Sequence, residues 1–61
     1  MKVIEIRNNS NGSCEVWVDD TNPGGRARFV NGIDPVNDNV ERTRAMVRGL
    51  AIMLGVAIIE R

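Results

Sequence analysis

The chain has 61 residues, eight Lys+Arg against eight Asp+Glu and a formal net charge of zero, with a pI of about 6.1. Neutrality argues against a basic nucleic-acid-binding arm and against an acidic nucleic-acid mimic. A domain this short buries only about 60% of the surface of its unfolded chain. Its one cysteine, Cys14, and its lack of histidine provide neither an intramolecular disulfide nor a zinc ligand set to supplement the core.

Self-association is the remaining source of burial. An apolar share of 43% and a charged share of 26% suit a packed fold and not a disordered chain. The longest uncharged apolar run, Leu50–Ile59, is about half of what a membrane crossing needs. No secretory leader is visible, so a lone thiol points to a reducing, cytoplasmic setting. The chain opens on Met1 and reads as a complete small open reading frame.

The first predicted element is a strand over Met1–Arg7, with Ile4 and Ile6 on one face and Val3, Glu5 and Arg7 on the other. A polar stretch holding Asn11-Gly12 follows, a hairpin signal. In the second strand Cys14, Val16 and Val18 face the core, and Glu15, Trp17 and Asp19 face outward. Asp19 to Gly25 is a turn cluster. A third strand is expected over Arg26–Val30, with Ala27 and Phe29 inward and Arg26, Arg28 and Val30 outward, ended by an Asn31-Gly32 turn.

Asp34-Pro35 reads as a helix start, with Asn37 as a competing cap. The apolar stripe Val36, Val40, Thr43, Val47, Leu50, Ala51 and Leu54 can cover a sheet, and Gly55 is a plausible helix end. Val56–Ile59 is β-branched and apolar, as expected of a strand buried on both faces. The alternative is a helix running on through Gly55, at a cost of about 1 kcal/mol. The expected fold is a single α/β (α+β) domain over residues 1–61, β-β-β-α-β, with one helix on a three- to four-stranded sheet.

Two surfaces are candidates for binding. Ala45, Met46, Gly49, Ile52 and Met53 give the helix a second apolar face, where small residues permit close approach and methionines adapt to a partner. This face is the expected homo-oligomer interface, unless the fourth strand or a loop covers it within the monomer. On the outer sheet face Trp17 stands among Arg7, Arg26 and Arg28 and three acids. Either it is a solvated face with cross-strand charge pairs, or it is a recognition surface, since Trp and Arg dominate binding hot spots and Trp can stack on a base.

Gly24-Gly25 beside Arg26 and Arg28 could form an anion nest, or be a plain glycine turn. Seven of the eight basic residues are Arg, whose planar fork suits carboxylate and phosphate. Without His no Ser-His-Asp or Cys-His arrangement exists, and Cys14, expected to face inward, is expected to be inert. Asp19, Asp20, Asp34 and Asp38 are the candidates for a magnesium site, although all lie at turns and caps where Asp serves the backbone.

The expected element order and the stretch Asn39 to Leu50 resemble ribonuclease H-like domains, which commonly read Asn-Val-Ala-Glu-Tyr-x-Ala-Leu-Ile-x-Gly-Leu at their third strand and first helix. Gly12-Ser13-Cys14 and Asn22-Pro23-Gly24-Gly25 are similar to that family's first-strand sequence, at a different spacing. The match covers about a third of the chain and consists mostly of helix-packing residues. Arg42 stands where the family carries its catalytic Glu, and Asn11 where it carries the Asp before Gly-Ser. The resemblance therefore implies topology and not nuclease activity.

The expectation is a non-catalytic, self-associating binding module without cofactor. It would engage a small anionic, nucleotide or phosphate-bearing ligand or a protein partner, as a phage-type inhibitor or nucleotide-sequestering protein would, and neither long nucleic acid nor membrane. An assembly subunit acting only by homo-oligomerisation is the alternative, and a divergent metal-dependent nuclease a second.

Overall fold

Alternation in the first two segments carries directly into the computed structural model, which describes residues 1–61. β1 (Lys2–Asn8) and β2 (Cys14–Asp20) form the predicted hairpin. Ile4 lies opposite Val18, Ile6 opposite Val16 and Asn8 opposite Cys14. Ile6, Cys14 and Val16 join Ile33 in the core, with Ile4, Val40, Val47 and Ile58 packed against it. β3 (Arg28–Ile33), α1 (Val40–Leu54) and β4 (Ala57–Glu60) complete the order β-β-β-α-β. The sheet order is β3-β2-β1-β4, antiparallel except for β4, which runs parallel to β1. The parallel pair requires a crossover, and α1 supplies it by carrying the chain from one sheet edge to the other.

The third strand departs from expectation. It starts two residues later than predicted and includes Asn31 and Gly32, which form no turn. Val16 pairs with Asn31 while Trp17 pairs with Phe29, so Val30 is the extra residue of a β-bulge. One inserted residue reverses the facing of everything before it. Phe29, expected inward, packs edge-on against Trp17 with centroids 5.4 Å apart. Val30, expected outward, lines the helix side, and Arg28 lies opposite Val18 on that same side.

The helix also starts later than predicted. Asp34 and Pro35 belong to a turn closed by the Asp38 amide donating to the Asp34 carbonyl at 2.8 Å. The N-cap is Asn39, whose side chain accepts from the Arg42 amide at 3.0 Å. Val36, expected in the core stripe, is therefore outside the helix and exposed. Gly55 ends the helix in the left-handed region (φ 68°). Its amide donates to Ile52 and that of Val56 to Ala51, a Schellman closure. The helix does not run on. β4 is an edge strand with Ile58 and Ile59 half-buried, not a strand buried on both faces.

The helix lies toward β4, where Arg48 makes a two-pronged bond to Glu60 at 2.6 and 3.0 Å. Strands stand about 4.8 Å apart and a helix is about 10 Å wide, so one helix covers about two of four strands. Only six apolar residues are buried: Val3, Ile6, Cys14, Val16, Ile33 and Ala51. Leu50 and Leu54, predicted for the core, remain more than half exposed. No helix is long and apolar enough to cross a membrane.

Candidate functional site

The face of the sheet away from the helix carries the first candidate. Cross-strand register sets Glu5 opposite Trp17 and Arg7 opposite Glu15 on β1 and β2, with Ile59 of β4 on the other side of Glu5. Arg7 Nε donates to Glu5 Oε1 at 2.6 Å while its guanidinium carbon sits 4.1 Å from the Trp17 ring centroid. The indole N–H of Trp17 donates to Glu15 Oε1 at 2.9 Å, and Arg61 Nε lies 3.7 Å from Glu5. Glu5 and Val3, expected on the outer, uncovered face, are nevertheless 1% and 2% exposed. The hydrogen bond from Arg7 outweighs desolvation and holds the carboxyl below the usual range, with the charges of Arg61 and Arg7 adding to it.

Trp17 and Arg7 are thus brought together as predicted, but Arg26 and Arg28 are not brought to them. Arg28 faces the helix side and Arg26 precedes the strand. These two line a separate groove of about 390 Å³ with Lys2, Val18, Asp19 and Asp20. Within it the Asp20 carboxylate accepts from the Asn22 amide and from the Met1 ammonium. The amide bond, with help from the ammonium, holds its pKa below the usual value despite some desolvation. Lys2, Arg26 and Arg28 have no ion partner within 4 Å, Lys2 acting on Asp20 only through its charge, whereas Arg7, Arg44 and Arg48 bond to acids and Arg61 lies beside Glu5. Lys2 belongs to no motif of the sequence. Its place was recoverable, because the hairpin register sets it opposite Asp20.

Gly24-Gly25 takes the plain-turn form of the two readings, not the anion nest. The Gly25 amide donates to the Asn22 carbonyl at 2.8 Å, closing the turn. The turn packs so tightly that a Cβ on Gly25 would collide with Asp20. Three of the four aspartates, Asp20, Asp34 and Asp38, are also spent locally. Asp34 accepts from the Val36 amide and the Asn37 side chain, and Asp38 accepts from the Asp34 amide. No three acidic or cysteine side chains are gathered as a metal ligand set. Cys14 is buried, and desolvation pushes its thiol pKa up.

The predicted interface residues Ala45, Met46, Gly49, Ile52 and Met53 are all exposed, and neither β4 nor a loop covers them. Beside them an apolar groove of about 400 Å³ opens between the helix and the β2–β3 half of the sheet. Val16 and Ile33 form its floor edge, and the bulge residue Val30, which alternation turns outward, forms its rim. No family model matches the chain, and comparisons with curated proteins and with solved structures find no match.

Proposed function

We propose that the chain is a non-catalytic binding module that takes a compact anionic, phosphate-bearing ligand in the groove of Lys2, Arg26 and Arg28. One observation carries the reading: three of the four cations without an ion partner line one groove, the fourth being Arg42 on the helix. A guanidinium not held by a carboxylate keeps its planar fork for a phosphate. The Trp17 face is the weaker candidate, since Arg7 is bonded to Glu5 and the indole N–H to Glu15. Zero net charge gives no long-range pull on a polyanion, which favours a small ligand.

Titration of isotope-labelled protein with inorganic pyrophosphate tests this. Saturable shifts are expected at Lys2, Arg26 and Arg28, lost in Arg26→Ala/Arg28→Ala and kept in Trp17→Ala. No shift, or the reverse pattern in the two variants, would sink the reading.

A second reading is an assembly subunit whose work is self-association, favoured by the uncovered apolar helix. Kinship with ribonuclease H-like domains would account for the element order. With Arg42 and Asn11 at the carboxylate positions it would be kinship of fold alone.

A further inference from the structure

The sheet is half covered, and the chain owns the kind of element that is missing. The apolar groove has Ile4, Val18 and Val30 on its sheet wall and Val47, Leu50 and Leu54 on its helix wall, and no charged side chain lines it. At about 100° per residue, Met46, Leu50, Met53 and Leu54 share the helix flank that overlooks this groove. Ala45 and Gly49 lie on the side turned away from the chain's own sheet, and nothing stands within 4 Å of where a Gly49 Cβ would be. An object seated in the groove would therefore touch the sheet below, the flank of the helix beside it, and something able to approach closely from above.

We infer that two copies of this chain close face to face, each helix seated in the apolar groove of the other, so that two helices fill the space between two sheets. This deepens the assembly reading and uses none of the cations of the other groove, with which the apolar groove shares only Val18. In the pair each helix covers β1 and β4 of its own sheet and β2 and β3 of the partner's. The Met46–Leu50–Met53 flanks meet side by side, and the Ala45/Gly49 side lets the second sheet come close. The surface is self-complementary, containing both the groove and what fills it, as a two-fold interface must.

Surface area points to the same occupant. The chain exposes 4392 Å², whereas a compact monomer of its mass exposes about 3900 Å². The excess, on the order of 500 Å², is a large part of the roughly 800 Å² that each partner contributes to a stable interface. Leu50, Leu54, Met46, Met53 and Val30 are each more than half exposed in the single chain, so they bring apolar area that is still available to bury. With zero net charge, two copies do not repel.

Sedimentation equilibrium at micromolar concentration tests the inference. The expected mass is twice the 6.7 kDa of one chain, falling to one chain in Leu50→Lys/Leu54→Lys and also in Val30→Lys, with far-UV circular dichroism retained. Val30 is the discriminating position, because it lies on the sheet wall and a simple helix-to-helix pair would not touch it. A dimer lost in the leucine variant but intact in Val30→Lys would overturn groove docking and leave self-association standing. A monomeric wild-type chain would overturn both. Should Val30→Lys fail to fold, isotope-filtered NOE spectra of a mixed labelled and unlabelled sample give the answer without a variant. Contacts from Val30 methyls to the partner's helix are expected, and a dimer without them overturns the arrangement.

Discussion

Arg7 lies over the ring of Trp17, its guanidinium carbon 4.1 Å from the centroid, while its Nε donates to the buried carboxylate of Glu5 at 2.6 Å. One side chain thus roofs an acid and stacks on an indole, closing a sheet face that has no helix over it. Removing Arg7 strands a carboxylate that is 1% exposed, and losing one partner costs more than losing both. Arg7→Ala should lower the urea midpoint more than Arg7→Ala/Glu5→Leu does. Arg7→Lys should fall between Arg7→Ala and wild type, since ammonium keeps the charge but loses the planar stack. Equal midpoints for Arg7→Ala and wild type would show that the clamp contributes nothing to stability.

Acid should unfold the chain through the same contacts. Glu5 is held below its ordinary pKa chiefly by the Arg7 hydrogen bond, and Glu60 by that from Arg48, with desolvation opposing in both. A depressed folded-state pKa means that the unfolded chain binds more protons. The stabilisation is therefore complete above the unfolded carboxylate value of about 4.3 and is lost as pH falls through the lower folded value. The urea midpoint should be level near neutrality and decline below about pH 4. Glu5→Gln should flatten that decline. A Glu5→Gln profile parallel to wild type would remove Glu5 as a cause.

Helix initiation is assigned to Asn39, which accepts from the Arg42 amide and whose carbonyl receives the Thr43 hydroxyl at 2.9 Å. Asn39→Ala should cost about 1 kcal/mol in chemical denaturation. Asn39→Asp should be neutral or better, because a negative charge near the helix N-terminus is favourable. An unchanged stability for Asn39→Ala would return the cap to Asp34 or Asn37.

Part of the fold is legible in the sequence. β1 and β2 followed from strict alternation and one Asn-Gly turn, and Cys14 was placed in the core by the same count. β3 departs from the alternation because a bulge carries no composition signal. Val30 looks like any strand residue, yet its insertion sends Phe29 to Trp17 and Arg28 to the helix side. The same departure splits the expected Trp17–Arg26–Arg28 site into two places. Asp34-Pro35 carries every local sign of a helix start, but its side chain serves the turn that precedes Asn39. The burial of Glu5 depends on what Arg7, Trp17 and Arg61 do above it, a tertiary fact that alternation does not hold.

Gly55 offers a prediction whose sign separates two folds. In the structure it stands at φ 68° and closes the helix, after which Val3 registers on Ala57 and Ile4 on Ile58 as the parallel strand begins. An alanine there meets the left-handed region, so Gly55→Ala should destabilise by about 1 kcal/mol. Were the helix to continue to the C-terminus, the residue would be helical, and alanine would stabilise by about 1 kcal/mol instead. Urea denaturation of the single variant reads the sign directly. A stabilised Gly55→Ala chain would remove β4 from the sheet, leaving the β1 edge unpaired and Arg48 without its partner Glu60.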